Sequence, residues 1–179
     1  MLVTVESAGL SRRSVADLLA WCQSGPSRAH WPGVERIRWD DTTALPRLYF
    51  EVSIQAPGAP TGLCSVEEHM CRPEEDDDGL FFETAQLWHW SSEEVGGAWG
   101  TYRFTESNGC GHLRFVFRYL LPPLGGGPGV FDRDEFRGSI ETAVEHYVRA
   151  LVTAGSPDQP PAEPAPPARR PWRRRTSAP

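Results

Sequence analysis

The feature that most restricts the fold is the stretch from Asp132 to Ala154. Phe136, Ile140, Ala143, Val144, Tyr147, Val148 and Leu151 recur there at three- and four-residue steps, with Asp134, Arg137, Glu141, Glu145 and Arg149 mostly between them. This is the period of an amphipathic helix with one wide apolar face. Asp132 is placed to cap its N-terminus, with Glu135 as the return partner of a capping box. Gly155 and Pro157 stop it. At 1.5 Å per residue such a helix is about 33 Å long. The segment from Val34 to Leu121 has the pattern of strands. A lone long helix behind a run of antiparallel strands can bury its apolar face only if the strands curl round it.

Leu2 to Ser7 alternates as a first strand, with Leu2 and Thr4 opposite Val3 and Val5. Ser11 is placed to cap a short helix that buries Val15, Leu18, Leu19 and Cys22. Pro26 opens a second short helical turn that ends near Trp31-Pro32-Gly33. Strands are then predicted over Val34–Asp40, Arg47–Gln55, Leu63–Arg72, Leu80–Ser91, Ala98–Glu106 and His112–Leu121. Pro57–Gly62, the acidic run Glu74–Asp78 with Gly79, Gly96-Gly97 and Ser107-Asn108-Gly109 read as turns between them, and Pro122–Gly129 as the loop into the long helix. The last strand has the clearest dry side, with Leu113, Phe115, Phe117, Tyr119 and Leu121 facing away from Arg114 and Arg118.

The chain carries 24 acidic and 18 basic residues, for a net charge of −6. Every basic residue is arginine, so no lysine can form a Schiff base. Arg169, Arg170, Arg173, Arg174 and Arg175 lie after Gly155, so residues 1–154 are more acidic than the whole and poorly matched to nucleic acid or anionic lipid. Residues 155–179 are rich in proline and poor in apolar side chains, which reads as a disordered tail behind a single domain, 1–154. No apolar run reaches the roughly 18 residues of a membrane span. Cys22, Cys64, Cys71 and Cys110 show no paired spacing, and Met1 leads straight into a strand pattern, so a cytoplasmic protein with reduced thiols is expected.

The element order resembles the START/Bet v 1-like (SRPBCC) helix-grip superfamily. Trp31-Pro32-Gly33-Val34 is similar to the aromatic-Pro-x-Val turn that closes that family's short helix pair. Gly109 to Tyr119 is similar to its Gly-led last strand, with Gly109-Cys110-Gly111-His112 where Gly-Gly-Thr is usual. The Phe136 to Leu151 pattern matches the closing helix. The resemblance implies an α+β fold: a curved seven-stranded antiparallel sheet wrapped round a long C-terminal helix, two short helices after the first strand, and an apolar cavity between sheet and helix. Within the superfamily the chain looks most like the actinobacterial polyketide cyclase/dehydrase group. Nothing resembles the iron motifs of the ring-hydroxylase branch, so no cofactor is implied.

Under that fold one strand parity lines the cavity. Phe82, Thr84, Gln86, Trp88 and Trp90 share a parity, and Tyr102, Phe104, Phe117 and Tyr119 would face the same interior, with Tyr147 from the helix. Such a wall has the composition of a small-molecule pocket; the same aromatics could equally fill a core without a cavity. Glu67 and His69 share a face of one strand, and Glu83 and His89 a face of the next, each a carboxylate and imidazole suited to acid/base work if turned inward. Tyr102 is a further catalytic candidate. His69, Cys71 and His89 could supply three zinc ligands but lack a fourth, so no metal is expected. Arg103 could meet a ligand oxygen if its face were the inner one.

The expected function is binding of a hydrophobic, aromatic or polyketide-derived small molecule, with cyclisation or dehydration of that molecule as the enzymatic version. A non-catalytic carrier or sensor, or an interaction module acting through the arginine tail, are the alternatives. A monomer or homodimer is expected. Removing residues 155–179 should leave the thermal midpoint within a few degrees of the full chain, since the tail has little apolar surface to pack; a larger fall in a calorimetric scan would place the domain boundary elsewhere.

Overall fold

The computed structural model describes residues 2–40, 47–54, 62–89, 95–120 and 133–154. Its elements are β1 (Leu2–Ser11), α1 (Val15–Gln23), a 3-10 turn (Gly25–His30), β2 (Val34–Asp40), β3 (Arg47–Ile54), β4 (Gly62–Met70), β5 (Glu74–Asp76), β6 (Gly79–His89), β7 (Val95–Ser107), β8 (Cys110–Leu120) and α2 (Arg133–Thr153). One open antiparallel sheet runs in the order β1-β8-β7-β6-β4-β3-β2, with β5 paired to β6 beside this path. It is the helix-grip arrangement expected from the sequence: α+β, with two short helical pieces after the first strand and α2 on the concave face.

The alternating strands put one side dry. Leu48, Phe50 and Val52 of β3, Cys64 and Val66 of β4, Phe82 and Trp88 of β6, Tyr102 and Phe104 of β7, and Leu113, Phe115, Phe117 and Tyr119 of β8 are all buried. Against them α2 lays Phe136, Val144, Tyr147, Val148 and Leu151, also buried. These α2 positions repeat every three or four residues, so one helix face takes all the apolar burial. Gly9 in β1 lets α2 come close, because a Cβ there would lie 3.0 Å from Val152 Cγ2. Among the described residues no helix is long and apolar enough to cross a membrane.

Several local expectations are corrected. β1 runs on to Ser11, held by pairing of Leu10 with His112 and Ser11 with Gly111. The α1 cap is therefore Ser14: its Oγ accepts from Asp17 N at 3.2 Å and donates to Asp17 Oδ2 at 2.7 Å. The acidic run is partly a strand, since Glu74–Asp76 folds back on β6. Gly79, at φ 112°, makes that turn, where a Cβ would meet Phe104 O at 2.6 Å. Among the described residues the seven expected strands form the sheet's path, and β5 adds a short eighth beside it. Gly96 and Gly97 lie within β7, opposite Trp88 and Leu87. Gly96 leaves room for Tyr119, whose hydroxyl would stand 3.1 Å from an added Cβ. The Asn108-Gly109 turn is as expected, with both residues at positive φ, the requirement of a tight hairpin. The expected cap Asp132, the side chain of Glu135, the Pro57–Gly62 and Pro122–Gly129 segments and the tail lie outside the described residues.

Leu151 is fully buried under the sheet. Leu151→Asp should abolish cooperative folding, because an unpaired buried carboxylate costs several kcal/mol against a total of about 5–15 kcal/mol. A soluble variant with a sharp urea transition would show that α2 does not dock on the sheet.

Candidate functional site: a cavity with a buried ion pair at its floor

The short segment after α1 aims an arginine into the protein. Ser27 N bonds Ser24 O at 3.2 Å and Trp31 N bonds Arg28 O at 3.0 Å, which winds Gly25–His30 into a single tight coil. Gly25 lies close to Trp39, and an added Cβ would stand 3.2 Å from its Cε3. Arg28 then points under the sheet and is 2 % exposed. Its partner comes from β4, where Cys64, Val66, Glu68 and Met70 form the inner parity. Glu68 is fully buried, and its Oε1 accepts from Arg28 Nε at 2.8 Å and lies 2.7 Å from Arg28 Nη2.

The pair is embedded in further polar groups. Arg28 Nη1 donates to Cys22 O at 2.6 Å, Ser27 Oγ at 2.7 Å and Tyr147 Oη at 3.1 Å, and Nη2 reaches Met70 Sδ at 3.7 Å. Gln86 Nε2 donates to Glu68 Oε2 at 2.5 Å, and Trp88 Nε1 donates to Gln86 Oε1 at 3.0 Å. Tyr102 and Tyr147 share a hydrogen bond of 3.2 Å between their hydroxyls. Burial alone would lower the pKa of Arg28, but Glu68 and the surrounding phenols more than reverse this, so the guanidinium stays charged. Burial drives Tyr102 well above the ordinary phenol value, against an opposing pull from Arg28, and raises Tyr147 as well. Both remain protonated. Cys22 is pushed up to about 12 by burial, as fits a packing role.

Two spaces adjoin this network. The larger, about 450 Å³, opens between the first half of α2, the turn Trp31-Pro32-Gly33 and β3. Its apolar walls include Trp31, Val52, Trp88, Tyr119, Phe136 and Ile140, and its polar ones Ser53, Ser139 and Glu35. The turn is tied to β3 by Ser53 N to Gly33 O at 2.8 Å, and Gly33 sits at φ 81°, where a Cβ would strike Ser53 O. Glu35 reaches the mouth because the β2–β3 register shifts between Val34 and Arg36, leaving it without a cross-strand partner. The smaller space is a recess of about 10 Å³ at the network itself, among Arg28, Phe50, Gln86, Tyr102, Phe115 and Tyr147. Trp31 and Trp88 line both.

The structure therefore brings Gln86, Trp88, Tyr102, Tyr119 and Tyr147 to the cavity or its floor. Phe104 and Phe117 are packed core behind it: Phe104 stacks on Phe82 and Phe117 lies against Trp31. Trp90 lies outside the described residues. Glu67 and His69 do not reach the cavity. They occupy the convex face, paired with each other at 2.9 Å, because the inner parity of β4 is that of Glu68. Glu83 and His89 share that outer face, Glu83 accepting from Thr101 Oγ1 at 3.2 Å. Arg103 is also outside, forked onto Asp76, with Nη2 donating to Oδ2 at 2.9 Å. Among the described residues no three His, Cys, Asp or Glu side chains come together as metal ligands.

Arg28 was absent from the sequence-based candidates, as were Glu68 and the mouth residues Trp31, Phe136 and Ile140. A signal for Glu68 existed: it is the one charge on an otherwise apolar parity. Nothing local singles out Arg28.

No protein-family model matches the sequence, and no curated protein matches it. In structure the chain is similar to a conserved protein from Geobacillus kaustophilus, with TM-score 0.62 and 8% identity over 84% of this chain and 92% of that one. It is similar to the Zhui aromatase/cyclase from Streptomyces sp. R1128, with TM-score 0.57 and 16% identity over 85% and 92%. A START superfamily protein from Mycobacterium smegmatis aligns with TM-score 0.50 and 13% identity over 83% and 99%. The likeness is one of fold: the chain shares the helix-grip arrangement of these proteins.

Removing one partner of the ion pair leaves a bare buried charge. Arg28→Met and Glu68→Leu should each cost about 3–5 kcal/mol, whereas the double variant should recover much of that loss. Urea unfolding of all four proteins closes the cycle; additive losses would mean that the two groups are not coupled.

Proposed function

We propose that this protein binds a flat hydrophobic small molecule, aromatic or polyketide-derived, in the cavity between the sheet and α2. The carrying observation is the roughly 450 Å³ space walled by Trp31, Trp88, Tyr119, Phe136 and Ile140. Its size and its mostly apolar lining with a few polar groups suit a ligand of two or three fused rings. Similarity of fold to an aromatase/cyclase supports the same class of ligand.

Holding the ligand without transforming it, as a carrier or sensor, fits the committed state of the floor. Arg28 and Glu68 neutralise each other, and Glu67 and His69 stand on the far side of the sheet. The cyclase or dehydrase reading draws its support from the Tyr102–Tyr147 phenol pair, which retains its protons inside a dry site. Under that reading the cavity folds the chain and a phenol assists loss of water.

A flat probe such as 1,8-dihydroxyanthraquinone should quench tryptophan fluorescence saturably with micromolar affinity, about −8 kcal/mol. Trp88→Ala should weaken it by one or two powers of ten, and Ile140→Trp should block the mouth. Failure of every flat aromatic probe to saturate, with the protein folded, would reject the binding reading.

A further inference from the structure

Two donor protons at the floor of the cavity have no acceptor among the described residues. Every N–H of Arg28 already faces an acceptor: Glu68 Oε1 takes Nε and Nη2, Met70 Sδ takes Nη2, and Cys22 O, Ser27 Oγ and Tyr147 Oη take Nη1. A guanidinium can only donate, so Tyr147 Oη is the acceptor in their contact and shares the two Nη1 protons with Cys22 O and Ser27 Oγ. The proton of Tyr147 then turns to Tyr102 Oη, 3.2 Å away. That leaves the proton of Tyr102 with no acceptor among the described residues. Reversing the phenol pair only moves the spare proton to Tyr147. Each donation along the line Arg28, Tyr147, Tyr102 polarises the next, which favours the spare proton at the Tyr102 end.

Gln86 has its orientation dictated from both sides. Glu68 Oε2 can only accept and Trp88 Nε1 can only donate, so Nε2 faces the first and Oε1 the second. The second proton of Nε2 has no acceptor among the described residues either. Gln86 and Tyr102 both border the recess of about 10 Å³, a space on the scale of one water-sized atom. Trp31 and Trp88, which border the larger cavity as well, lead from one to the other.

We infer that the recess takes the single oxygen of a neutral carbonyl group on the ligand, with Tyr102 as the donor that sets this preference, and that it excludes carboxylates. The inference rests on the cavity binding a small molecule as proposed above. A carbonyl oxygen accepts from both spare donors and brings no charge. A carboxylate would bring a second oxygen that the recess has no room for. It would sit beside Glu68, find no free N–H on Arg28, and pass Glu35 at the mouth. Because burial raises the Tyr102 pKa, the phenol keeps its proton throughout the neutral range and can donate it to a ligand oxygen.

Three naphthalenes of matched shape test this on the full chain at pH 7.5: 2-acetylnaphthalene, 2-isopropenylnaphthalene and 2-naphthoate, titrated by tryptophan quenching. The ketone should bind at least tenfold tighter than the alkene and at least tenfold tighter than the acid. Tyr102→Phe should bring the ketone-to-alkene ratio to within threefold. If the Tyr147 proton swings round to replace it, the Tyr102→Phe/Tyr147→Phe double variant closes the ratio instead. Equal binding of ketone and alkene, tightest binding of naphthoate, or a ketone preference that survives in the double variant would each overturn the inference while leaving the cavity intact. If none of the three binds, the cavity reading fails and this inference with it.

Discussion

The buried pair of Arg28 and Glu68 ties the structure together. It joins the 3-10 turn to β4 across 40 residues of sequence, and through Tyr147 it reaches α2. An ion pair away from water survives only if its remaining donors and lone pairs are satisfied. That requirement recruits Cys22 O, Ser27, Gln86, Tyr102 and Tyr147, so six elements are placed relative to one another by one charge pair. The same requirement determines what the cavity can do, because a guanidinium already saturated with acceptors is no longer an anion receptor.

Burial and polarity are arranged in layers along the inside of the sheet. At the end where Phe82, Phe104 and Leu113 meet, the space is filled by stacked rings, Phe82 against Tyr102 at 4.5 Å and 6°. In the middle lies the polar network. Toward the start of α2, rings stand apart and leave the mouth between Trp31, Trp88 and Phe136. Trp31 is the hinge of this layout: it packs on Phe117 and Tyr147, each at 5.1 Å, and presents its other side to the cavity. The Pro32-Gly33 step that follows lets the chain leave this position directly into β2 while bonded to β3.

The convex face has the opposite character. Its charged groups pair with near neighbours, Arg114 with Glu6 at 2.7 Å and Arg103 with Asp76, and these exposed pairs contribute little to stability. They explain why carboxylate–imidazole spacing was a poor guide. On a solvated strand face, Glu67 and His69 meet because residues two apart share a side, and that geometry arises with or without a task.

Sequence periodicity by itself determined the closing helix, the order of strands and the dry parity of β3 and β8, because these follow from the 3.6- and 2-residue repeats of local backbone geometry; the parity of β6, with Trp88 on one face and Ala85 and Leu87 on the other, stayed open. It also carried the composition of the cavity wall at Gln86, Trp88, Tyr102 and Tyr119. It could not choose between Glu67 and Glu68 without weight on the apolar neighbours Cys64, Val66 and Met70, and it was silent on Arg28, whose turn has no period to read. Only the tertiary structure decided those points. Whether a charge can be buried depends on what faces it across the fold, and in this protein the answer to Glu68 lies 40 residues earlier in the chain, beyond the reach of any local pattern.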